Sequence, residues 1–307
     1  MESLQNKIDF AVIVSVRNAN PNGDPLNGNR PRVNYDGHGE LSDVCIKRKI
    51  RNRLMEAGCS IFVQSDDIRV DEYRSLRSRA DGVLKDIDLK DSQKYRDAAC
   101  KVWMDVRAFG QVFAFSGKKG GKKGGKKGGE KGAESDESND TPGVSIGIRG
   151  PVSIHPAFSV APVLDRVTSI QITKSVSGEG DGTKRGSDTM GMKHRVDHGI
   201  YVFYGSLNPQ LATKTGFSDG DADSIKEALR TLFRNDASSA RPEGSMEVHK
   251  VYWWKHNSPN GQYSSAKVHR LLDVRVKPNI DETKSIEDYE INLKELADLD
   301  YEEIDGE

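Results

Sequence analysis

The spacing of apolar and polar positions along the chain predicts a mixture of strands and amphipathic helices. Residues 8–16 (IDFAVIVSV) form a near-continuous apolar run of strand length, which is typical of a central strand. Ser42 has the features of an N-cap and opens a predicted helix that ends near Ala57. The remaining predicted elements are strands at 144–154, 167–173, 200–207, 248–255 and 268–276, and an amphipathic helix at 222–235.

Taken in chain order, the main elements are strand, helix, strand, strand, helix, strand. This is the ferredoxin-like order of RRM-type domains, which bind RNA across their sheets. We therefore predict an α+β fold with a ferredoxin-like (RRM-like) core. Residues 61–115 and the glycine-rich stretch 175–199 do not fit a single such domain, and we expect both to project from the sheet.

Residues 117–131 read GKKGGKKGGKKGGEK and are followed by a polar, acidic stretch. The segment has no apolar residue for a core, and glycine maximises backbone entropy, so residues 117–141 are predicted to be a disordered loop. Its lysines could contact DNA phosphates without sequence preference, or the loop could be an insertion that binds nothing. The lysines considered as DNA contacts are Lys118, Lys119, Lys122 and Lys123.

Charge is distributed unevenly along a chain whose formal net charge is only −1. Residues 281–307 contain twelve acidic residues and two lysines, so this stretch carries −10 and the preceding 280 residues carry +9. An excess of this size suits a polyanionic partner, through the release of counterions from phosphates. The acidic stretch is predicted to be a solvated tail, with shielding of the basic body as the alternative.

The 307 residues suffice for about two domains with a proper core. No apolar run reaches the roughly 20 residues that cross a bilayer, and the first ten residues lack a signal-peptide pattern. Three widely spaced cysteines argue against a secreted disulfide framework. We expect a cytoplasmic protein without a membrane partner.

The predicted first helix carries five cations between Lys47 and Arg53. Its apolar positions recur every four residues, so Lys47 and Arg51 stack on the flank of the helix and Arg48 lies opposite the core. Neighbouring cations repel one another unless an anion lies near, which makes a phosphate backbone a natural partner. A solvated helix face is the alternative, and the sequence leaves the two on equal terms.

The stretch 175–199 has too few apolar residues to be buried, and it contains MGMKHR at residues 190–195. Methionines at 190 and 192 could wedge against base faces, while Lys193 and Arg195 could reach phosphates. An ordinary mobile loop is the alternative.

Patterns that would indicate an enzyme fail on inspection. The aspartates at 219, 221 and 223 resemble the start of a calcium loop, but the glycine and glutamate that such a loop needs are absent. His194 and His198 lead into a strand, where four residues span about 13 Å, which is too far for one metal ion. Asp24, in the loop after the first strand, is best explained as an Asx cap. We predict no catalytic residue, no metal and no cofactor.

Several of these segments together resemble one family. They are RNANPNGDPLNGNRPR after the first strand, SDVCIKRKIRNRL at the helix start, WMDVRAFGQVFAF, IGIRGPVSIHPAFS, ITKSVS, DTMGMKHRV, KTGFSDGDADSIKEAL and SSARPEG. In this order, from about Phe10 to Val276, they are similar to the backbone subunit of the type I-C CRISPR interference complex, Cascade. The GKKGG repeat and the acidic stretch depart from the family pattern.

The resemblance implies a palm, a fingers region and a β-hairpin thumb. The palm is expected at 1–60, 142–171 and 200–280, the fingers at 61–116 and the thumb at 172–199. The acidic tail expected at 281–307 rests on composition and not on the resemblance. Members of the family polymerise along one guide RNA, and the thumb of a neighbour displaces a guide base at regular intervals. The implied partners are CRISPR guide RNA, further copies of the chain, the end-capping, large and small Cascade subunits, and target double-stranded DNA.

On this sequence the resemblance implies a guide-binding surface formed by the loop after the first strand, the basic helix, the end of the second palm strand and the thumb. Its residues are Asn18, Asn20, Asn22, Lys47, Arg48, Arg51, Arg149, Lys174, Met190, Met192, Lys193, His194 and Arg195. The implied role is non-catalytic. The alternative is metal-dependent cleavage of RNA, as in type III backbone subunits, with Asp24 as the acidic residue.

Overall fold

A computed structural model of the chain describes residues 2–115, 144–173 and 190–307. Its strands are β1 (Ile8–Ala19), β2 (Gly23–Asp24), β3 (Arg30–Pro31), β4 (His38–Leu41), β5 (Gly110–Phe115), β6 (Val144–Arg149), β7 (Val152–Ile154), β8 (Ala157–Pro162), β9 (Val167–Thr173), β10 (Met190–Leu207), β11 (Met246–Lys255), β12 (Leu272–Val276), β13 (Tyr289–Leu293) and β14 (Asp300–Asp305). Its α-helices are α1 (Asp43–Glu56), α2 (Leu76–Val83), α3 (Ser92–Val102), α4 (Met104–Phe109), α5 (Pro209–Thr215), α6 (Asp219–Arg230) and α7 (Ser265–His269). Of these described helices, none combines the length and the apolar character that a bilayer crossing requires.

The main sheet is antiparallel and has the strand order β14-β11-β1-β10-β8-β4, with β7 and β9 also paired to β10. The predicted first strand is confirmed: β1 is central, and its apolar residues from Phe10 to Val14 are fully buried. Alternate β1 residues face two different cores, because successive side chains point to opposite sides of a strand. The mixed, largely antiparallel architecture agrees with the predicted α+β class.

Helices α1 and α6 cover one face of this sheet, and both begin at caps that the sequence contains. The Ser42 Oγ accepts a hydrogen bond from the Cys45 backbone N–H at 3.3 Å, so the predicted start of the first helix is confirmed. At α6, Ser218 and Asp221 form a reciprocal capping box, which starts the helix three residues before the predicted position. The apolar stripes of both helices lie in the same core cluster as β1.

Two predicted strands are wrong in their pairing. The stretch 144–154 is broken at Gly150, so that β6 pairs with β5 in a separate sheet and β7 alone joins β10. Gly110 and Gly150 allow this crossing, because a Cβ atom at either position would collide with the backbone of the other segment. The stretch 268–276 contains the end of α7 and all of β12, and β12 pairs with β13 instead of closing the main sheet.

The acidic stretch 281–307 is not a solvated tail. It contains β13 and β14, and β14 forms the edge of the main sheet by pairing with β11 from Lys250 opposite Asp305 to Lys255 opposite Asp300. Four of the six residues of β14 are acidic and only Ile304 of its side chains packs against the core, so the residue pattern does not predict this strand.

A second core lies in residues 61–115 and β6, within the region predicted as fingers. Its centre is a group of aromatic rings, with Phe62 at 4.6 Å from Trp103 and 5.1 Å from Phe113 between ring centroids. Helices α2, α3 and α4 and the β5–β6 pair surround these rings. The region therefore has its own apolar centre, as expected of a projection from the sheet. The predicted lysine-rich loop at 117–141 lies outside the described residues.

The other face of the sheet contains a buried acidic group, Asp9, at the start of β1. Its side chain has no exposure and lies 2.9 Å from His256 Nε2 and 3.0 Å from Lys7 Nζ. His256 Nδ1 accepts from the Gln262 backbone N–H at 3.0 Å, so Nε2 carries the proton that is donated to the carboxylate. Burial alone would raise the pKa of Asp9, but the contacts with His256 and Lys7, together with His269 Nε2 at 3.6 Å, outweigh it and hold this pKa far below its usual value.

We predict that Asp9→Asn lowers the free energy of unfolding at neutral pH by about 3 kcal/mol or more, because Lys7 and His256 lose a buried ionised partner. The folded-state pKa lies below the unfolded one, so the carboxylate stabilises the fold above about pH 4, and this contribution is lost as the pH falls through the folded value. Urea unfolding of both proteins across this range is the measurement.

Asp81→Asn is the control, since Asp81 is exposed and pairs with Arg77 at 2.8 Å, an arrangement worth less than about 1 kcal/mol. Acid should destabilise the wild-type protein more steeply than the Asp9 variant. Identical pH dependence in the two proteins would contradict the assignment of Asp9 as the stabilising carboxylate.

Candidate nucleic-acid interface

The loop after β1 begins with a left-handed residue and then folds back on the body of the protein. Asn18 has φ 53° and an exposed side chain, a conformation that asparagine tolerates better than most residues. Asn20 is buried and donates to the Asn29 carbonyl at 2.8 Å, while Asn22 Oδ1 accepts from both Ser42 N and Ser42 Oγ at 2.9 Å. Of the three asparagines predicted to contact RNA, only Asn18 presents its side chain to solvent, because the other two organise the loop and the start of α1.

Asp24 is an N-cap, as its position in a turn indicates. Its Oδ1 accepts from the Leu26 backbone N–H at 3.2 Å and lies 3.4 Å from Arg32 Nη2. Within the described ranges no group of three or more His, Cys, Asp or Glu side chains is arranged to hold a metal ion. The carboxylate thus has a structural role in the loop, and nothing in its surroundings favours the cleavage alternative.

Arg51 of α1, predicted to contact RNA, is directed into the junction between α1 and the second core. Its Nε lies 2.9 Å from the Asp105 carboxylate, which is 1% exposed and also accepts from the Phe62 and Val63 backbone N–H groups at 2.7 and 3.0 Å. The Arg51 guanidinium also covers the Phe109 ring at 5.1 Å. The Asp105 carboxylate has hydrogen-bond donors for both oxygens and therefore a structural role, and Arg51 is its counter-ion.

The other α1 cations have partners in the protein as well, so the argument from unneutralised charge does not hold for this helix. Their contacts are Lys47 with Asp43 at 2.9 Å, Arg48 with the Val63 carbonyl at 3.2 Å, Lys49 with Asp236, and Arg53 with Glu56. Burial is the dominant influence on the pKa of Lys49 and of Arg48, and it lowers both. Most of α1 packs within the fold, and the contacts of its basic residues stabilise this packing.

Strands β9 and β10 form an antiparallel arm in the region predicted as the thumb. Pairing runs from Val167 opposite Val196 to Thr173 opposite Met190, so the arm begins five residues before the predicted boundary. Met190 and Met192 lie on one side of β10 with exposures of 51% and 56%. Two unbranched apolar side chains are therefore available to a partner at the end of the described arm.

His194 is buried near the base of the arm, which corrects its predicted position near the tip. Its exposure is 8%, and its Nδ1 lies 2.7 Å from Ser169 Oγ, which accepts from Arg30 Nη1 at 3.3 Å. Burial and the Arg30 charge lower the pKa of His194. This chain of hydrogen bonds ties the loop after β1 to the arm.

Lys193 and Arg195 alternate with the methionines and so point to the other side of β10. Arg195 lies 3.5 Å from Asp197, whereas Lys193 makes no ion pair within the described part of the chain. Arg149 is exposed at the end of β6. Lys174 and the four loop lysines (Lys118, Lys119, Lys122 and Lys123) lie outside the described residues.

Two arginines outside the predicted set of RNA contacts lie beside the base of the arm. Arg17 is exposed on β1 opposite His198, beside the base of the arm, and Arg30 donates to the arm itself. Both lie within the motif RNANPNGDPLNGNRPR, which was the available signal. Arg17, Asn18 and the exposed methionines thus lie along β1 and β10 beside this loop, while Lys193 lies on the other side of β10.

We predict that Arg51→Gln lowers the free energy of unfolding by about 3 kcal/mol, because it leaves the buried Asp105 carboxylate without its counter-ion. Lys193→Gln should change stability by less than about 0.5 kcal/mol, since Lys193 is half-buried and makes no ion pair within the described part of the chain. Denaturant unfolding of the two variants, which lose the same charge, separates the roles. An Arg51 variant as stable as the wild type would return this residue to the set of candidate RNA contacts.

Comparison with known proteins supports one family. The model for CRISPR-associated protein Cas7 matches residues 6–294. The CRISPR-associated protein Cas7 of Haloferax volcanii is 24% identical over 295 residues, covering 95% of this chain and 82% of the relative. Two solved structures, named CRISPR RNA-guided surveillance complex, pre-nicking, and CRISPR RNA-guided surveillance complex, are each 15% identical, with TM-scores of 0.44 and 0.40. They cover 90% and 81% of this chain, and 84% and 68% of their own chains. Because the family match extends from before β1 to just after β13, the chain belongs to the Cas7 family of CRISPR-associated proteins.

Proposed function

We propose that this chain is a guide-RNA-binding backbone subunit of a CRISPR interference complex of the type I-C kind. In this role several copies bind one CRISPR RNA and present its bases for pairing with target DNA. The observation that carries the proposal is the β9–β10 arm, which extends from the sheet beside a basic, asparagine-containing loop and whose described end carries exposed methionines. Membership of the Cas7 family supports the same role.

The proposed architecture is a ferredoxin-like palm with inserted fingers and a thumb. Strand order β11-β1-β10-β8 with α1 and α6 on one face supports the palm, and the separate aromatic core supports the fingers. The arm corresponds to the thumb. Because the arm is an extension of β10, a central strand of the palm, its direction is determined by the sheet rather than by a hinge.

Recognition in this proposal depends on the RNA backbone rather than on base identity. Arg17 and Arg149 are exposed cations and Lys193 is a half-buried one, and all three suit phosphates. Asn18 offers an amide for a phosphate or a 2′-hydroxyl. Sequence specificity is then left to base pairing between guide and target. The role is non-catalytic and cytoplasmic, and the partners are guide RNA, other Cascade subunits and double-stranded target DNA.

A projecting arm that serves a neighbouring copy also explains how a filament could form. Seven residue pairs give an arm of about 23 Å. An arm on one side of the palm that contacts a different surface on the next copy makes a head-to-tail interface. Such an interface propagates when its rotation does not close a ring. The exposed methionines suit contact with a base face at that junction.

Native mass spectrometry of the chain co-expressed with a CRISPR RNA and the partner subunits tests the function. We expect several copies on one RNA, with nuclease protection at a regular spacing. A single copy per RNA would contradict the backbone role. Steady cleavage of complementary RNA with a divalent metal ion, abolished by Asp24→Ala, would establish the enzymatic alternative.

We predict that the double variant Arg149→Gln, Lys193→Gln weakens RNA binding equally for all guide sequences. Each lost phosphate contact on a single strand lowers the slope of log K against log salt by about 0.7, so the pair should lower it by about 1.4. Fluorescence anisotropy at several salt concentrations measures this slope.

Lys255→Gln, Lys267→Gln is the matched control, since these residues lie near the opposite end of β1 from Asn18 and remove the same charge. The control should leave the slope almost unchanged. Equal losses in both double variants would mean that net charge, rather than this surface, determines the affinity.

A further inference from the structure

The base of the β9–β10 arm is supported by a hairpin that β2 and β3 form in the loop after β1. Gly23 lies opposite Pro31 and Asp24 opposite Arg30 in this β2–β3 hairpin, and β3 packs against β10. A ribbon of only two strands is marginally stable by itself in water. Contacts from a third element at the base therefore decide how firmly the arm is held.

The hydroxyl of Ser169 on β9 connects the β2–β3 hairpin to the arm. Arg30 Nη1 donates to Ser169 Oγ at 3.3 Å, and the same oxygen lies 2.7 Å from His194 Nδ1 on β10. Arg30 can only donate, so it occupies a lone pair of the hydroxyl and leaves the hydroxyl hydrogen for His194 Nδ1. This arrangement requires a neutral imidazole that carries its proton on Nε2.

The surroundings of His194 favour the neutral imidazole. The side chain is 8% exposed, and burial together with the positive charge of Arg30 lowers its pKa. A proton on Nδ1 would place two cationic donors, the imidazolium and the Arg30 guanidinium, at one hydroxyl oxygen. The link between hairpin and arm is therefore weakened when His194 is protonated.

The other charged groups near the base of the arm are directed elsewhere. Lys193, Arg195 and Asp197 project from the other side of β10, where Asp197 lies 3.5 Å from Arg195. The carboxylate of the hairpin, Asp24, lies 3.4 Å from Arg32. Among the described residues, these groups do not supply a counter-ion for a protonated His194.

The β2–β3 hairpin supports the side of the arm that carries the methionines. Met192 and Met190 lie two and four residues from His194 along β10, so all three side chains point to the same side of the strand. Met190 is thus about 13 Å beyond the supported position. A tilt of about 15° at His194 would displace Met190 by about 3 Å, which is close to the separation of two stacked bases.

We propose that Ser169 is a positioning residue, which fixes the arm against the β2–β3 hairpin through Arg30 and His194 and thereby makes successive copies bind RNA cooperatively. This inference rests on the guide-RNA function proposed above. An arm that is already held in place loses little conformational freedom when its methionines contact the RNA of the neighbouring copy, so the contact is stronger. Without the link, each junction between copies bears the cost of ordering an arm.

The proposed link depends on pH in a defined direction. Docking of the arm on the hairpin keeps His194 neutral and lowers its pKa, so docking and protonation oppose each other. The link is complete above the ordinary histidine pKa of about 6.5 and weakens as the pH falls below that value.

Hydrogen–deuterium exchange of the full chain without RNA tests the link. The amides of Asn29 and Arg32, which donate to the Asp24 and Asn22 carbonyls, report on the hairpin. Ser169→Ala should lower their protection about fivefold near neutral pH, the change expected for one lost hydrogen bond. It should also remove the fall in protection that the wild type shows between about pH 7.5 and about pH 5.

Ser169→Thr keeps the hydroxyl and should restore both the protection and its pH dependence. Equal protection in the wild type and the Ser169→Ala variant at both pH values would overturn the proposal. A loss of protection in Ser169→Ala that Ser169→Thr does not restore would also overturn it, because the hydroxyl would then not be the group that acts.

The pKa of His194, measured by imidazole NMR, tests the charge of Arg30. Arg30→Gln should raise this pKa toward about 6.5. Arg17→Gln is the matched control, since the charge of Arg17 lowers the pKa of His198 and is not among the influences on His194. An equal response of His194 to both substitutions, or to neither, would contradict the arrangement.

Binding to two RNAs tests the consequence for assembly. One RNA holds a single copy and the other holds several, with the lengths taken from the native mass spectrometry described above. Ser169→Ala should lower cooperativity on the longer RNA severalfold and leave the affinity for the shorter RNA almost unchanged, whereas Ser169→Thr should behave as the wild type. Equal weakening on both RNAs, or full cooperativity in Ser169→Ala, would overturn the proposal.

Failure of this inference and failure of the proposed function are distinguishable. A wild-type chain that forms no multi-copy complex on RNA would contradict the guide-RNA function and with it the cooperative role of Ser169. Unchanged hydrogen exchange in Ser169→Ala, which is measured without RNA, would overturn the positioning role alone.

Discussion

The structure depends on the uninterrupted pairing of β10. This strand has 18 residues and pairs with β1, β7, β8 and β9, so the same backbone is a central member of the main sheet at one end and one side of the projecting arm at the other. The loop after β1 lies against the base of the arm through Arg30 and Ser169. Any displacement of β10 in the sheet would therefore move the exposed methionines and the loop together, which keeps the elements of the proposed RNA surface in one fixed arrangement.

Ion pairs within the chain explain why the number of basic residues in a segment does not predict nucleic-acid binding. The α1 cations form the most evident basic cluster in the sequence, yet they form ion pairs with Asp43, Asp105, Asp236 and Glu56 of the same chain. The acidic stretch near the other end, which looks like a solvated tail, neutralises cations of α6 and β11. A local count of charge cannot show these contacts, because each partner lies far away in sequence or on a neighbouring turn. What remains for nucleic acid is the set of cations whose charge the fold does not use.

Local signals predicted local structure well. The apolar run of β1, the Ser42 cap of α1 and the strand at Val167–Thr173 all appear where the residue pattern indicates. Strand pairing was predictable only in part, since the break at Gly150 and the partner of β12 are decided by contacts between distant segments. At the site, composition was enough to predict the arm and its methionines. The burial of Asn20 and His194 could not be predicted, because it depends on hydrogen bonds to Asn29 and Ser169 that residue spacing does not indicate.

The contact between Arg51 and Asp105 has a mechanical consequence. It connects a helix that covers the main sheet to the segment that carries the aromatic core, and the two backbone hydrogen bonds to Asp105 leave that carboxylate no second position. The sheet and the aromatic core are therefore expected to tilt as one stiff body under load. If copies bind side by side along an RNA, the assembly must then bend at the joints between copies. The length of each rigid unit would limit how tightly the assembly can curve.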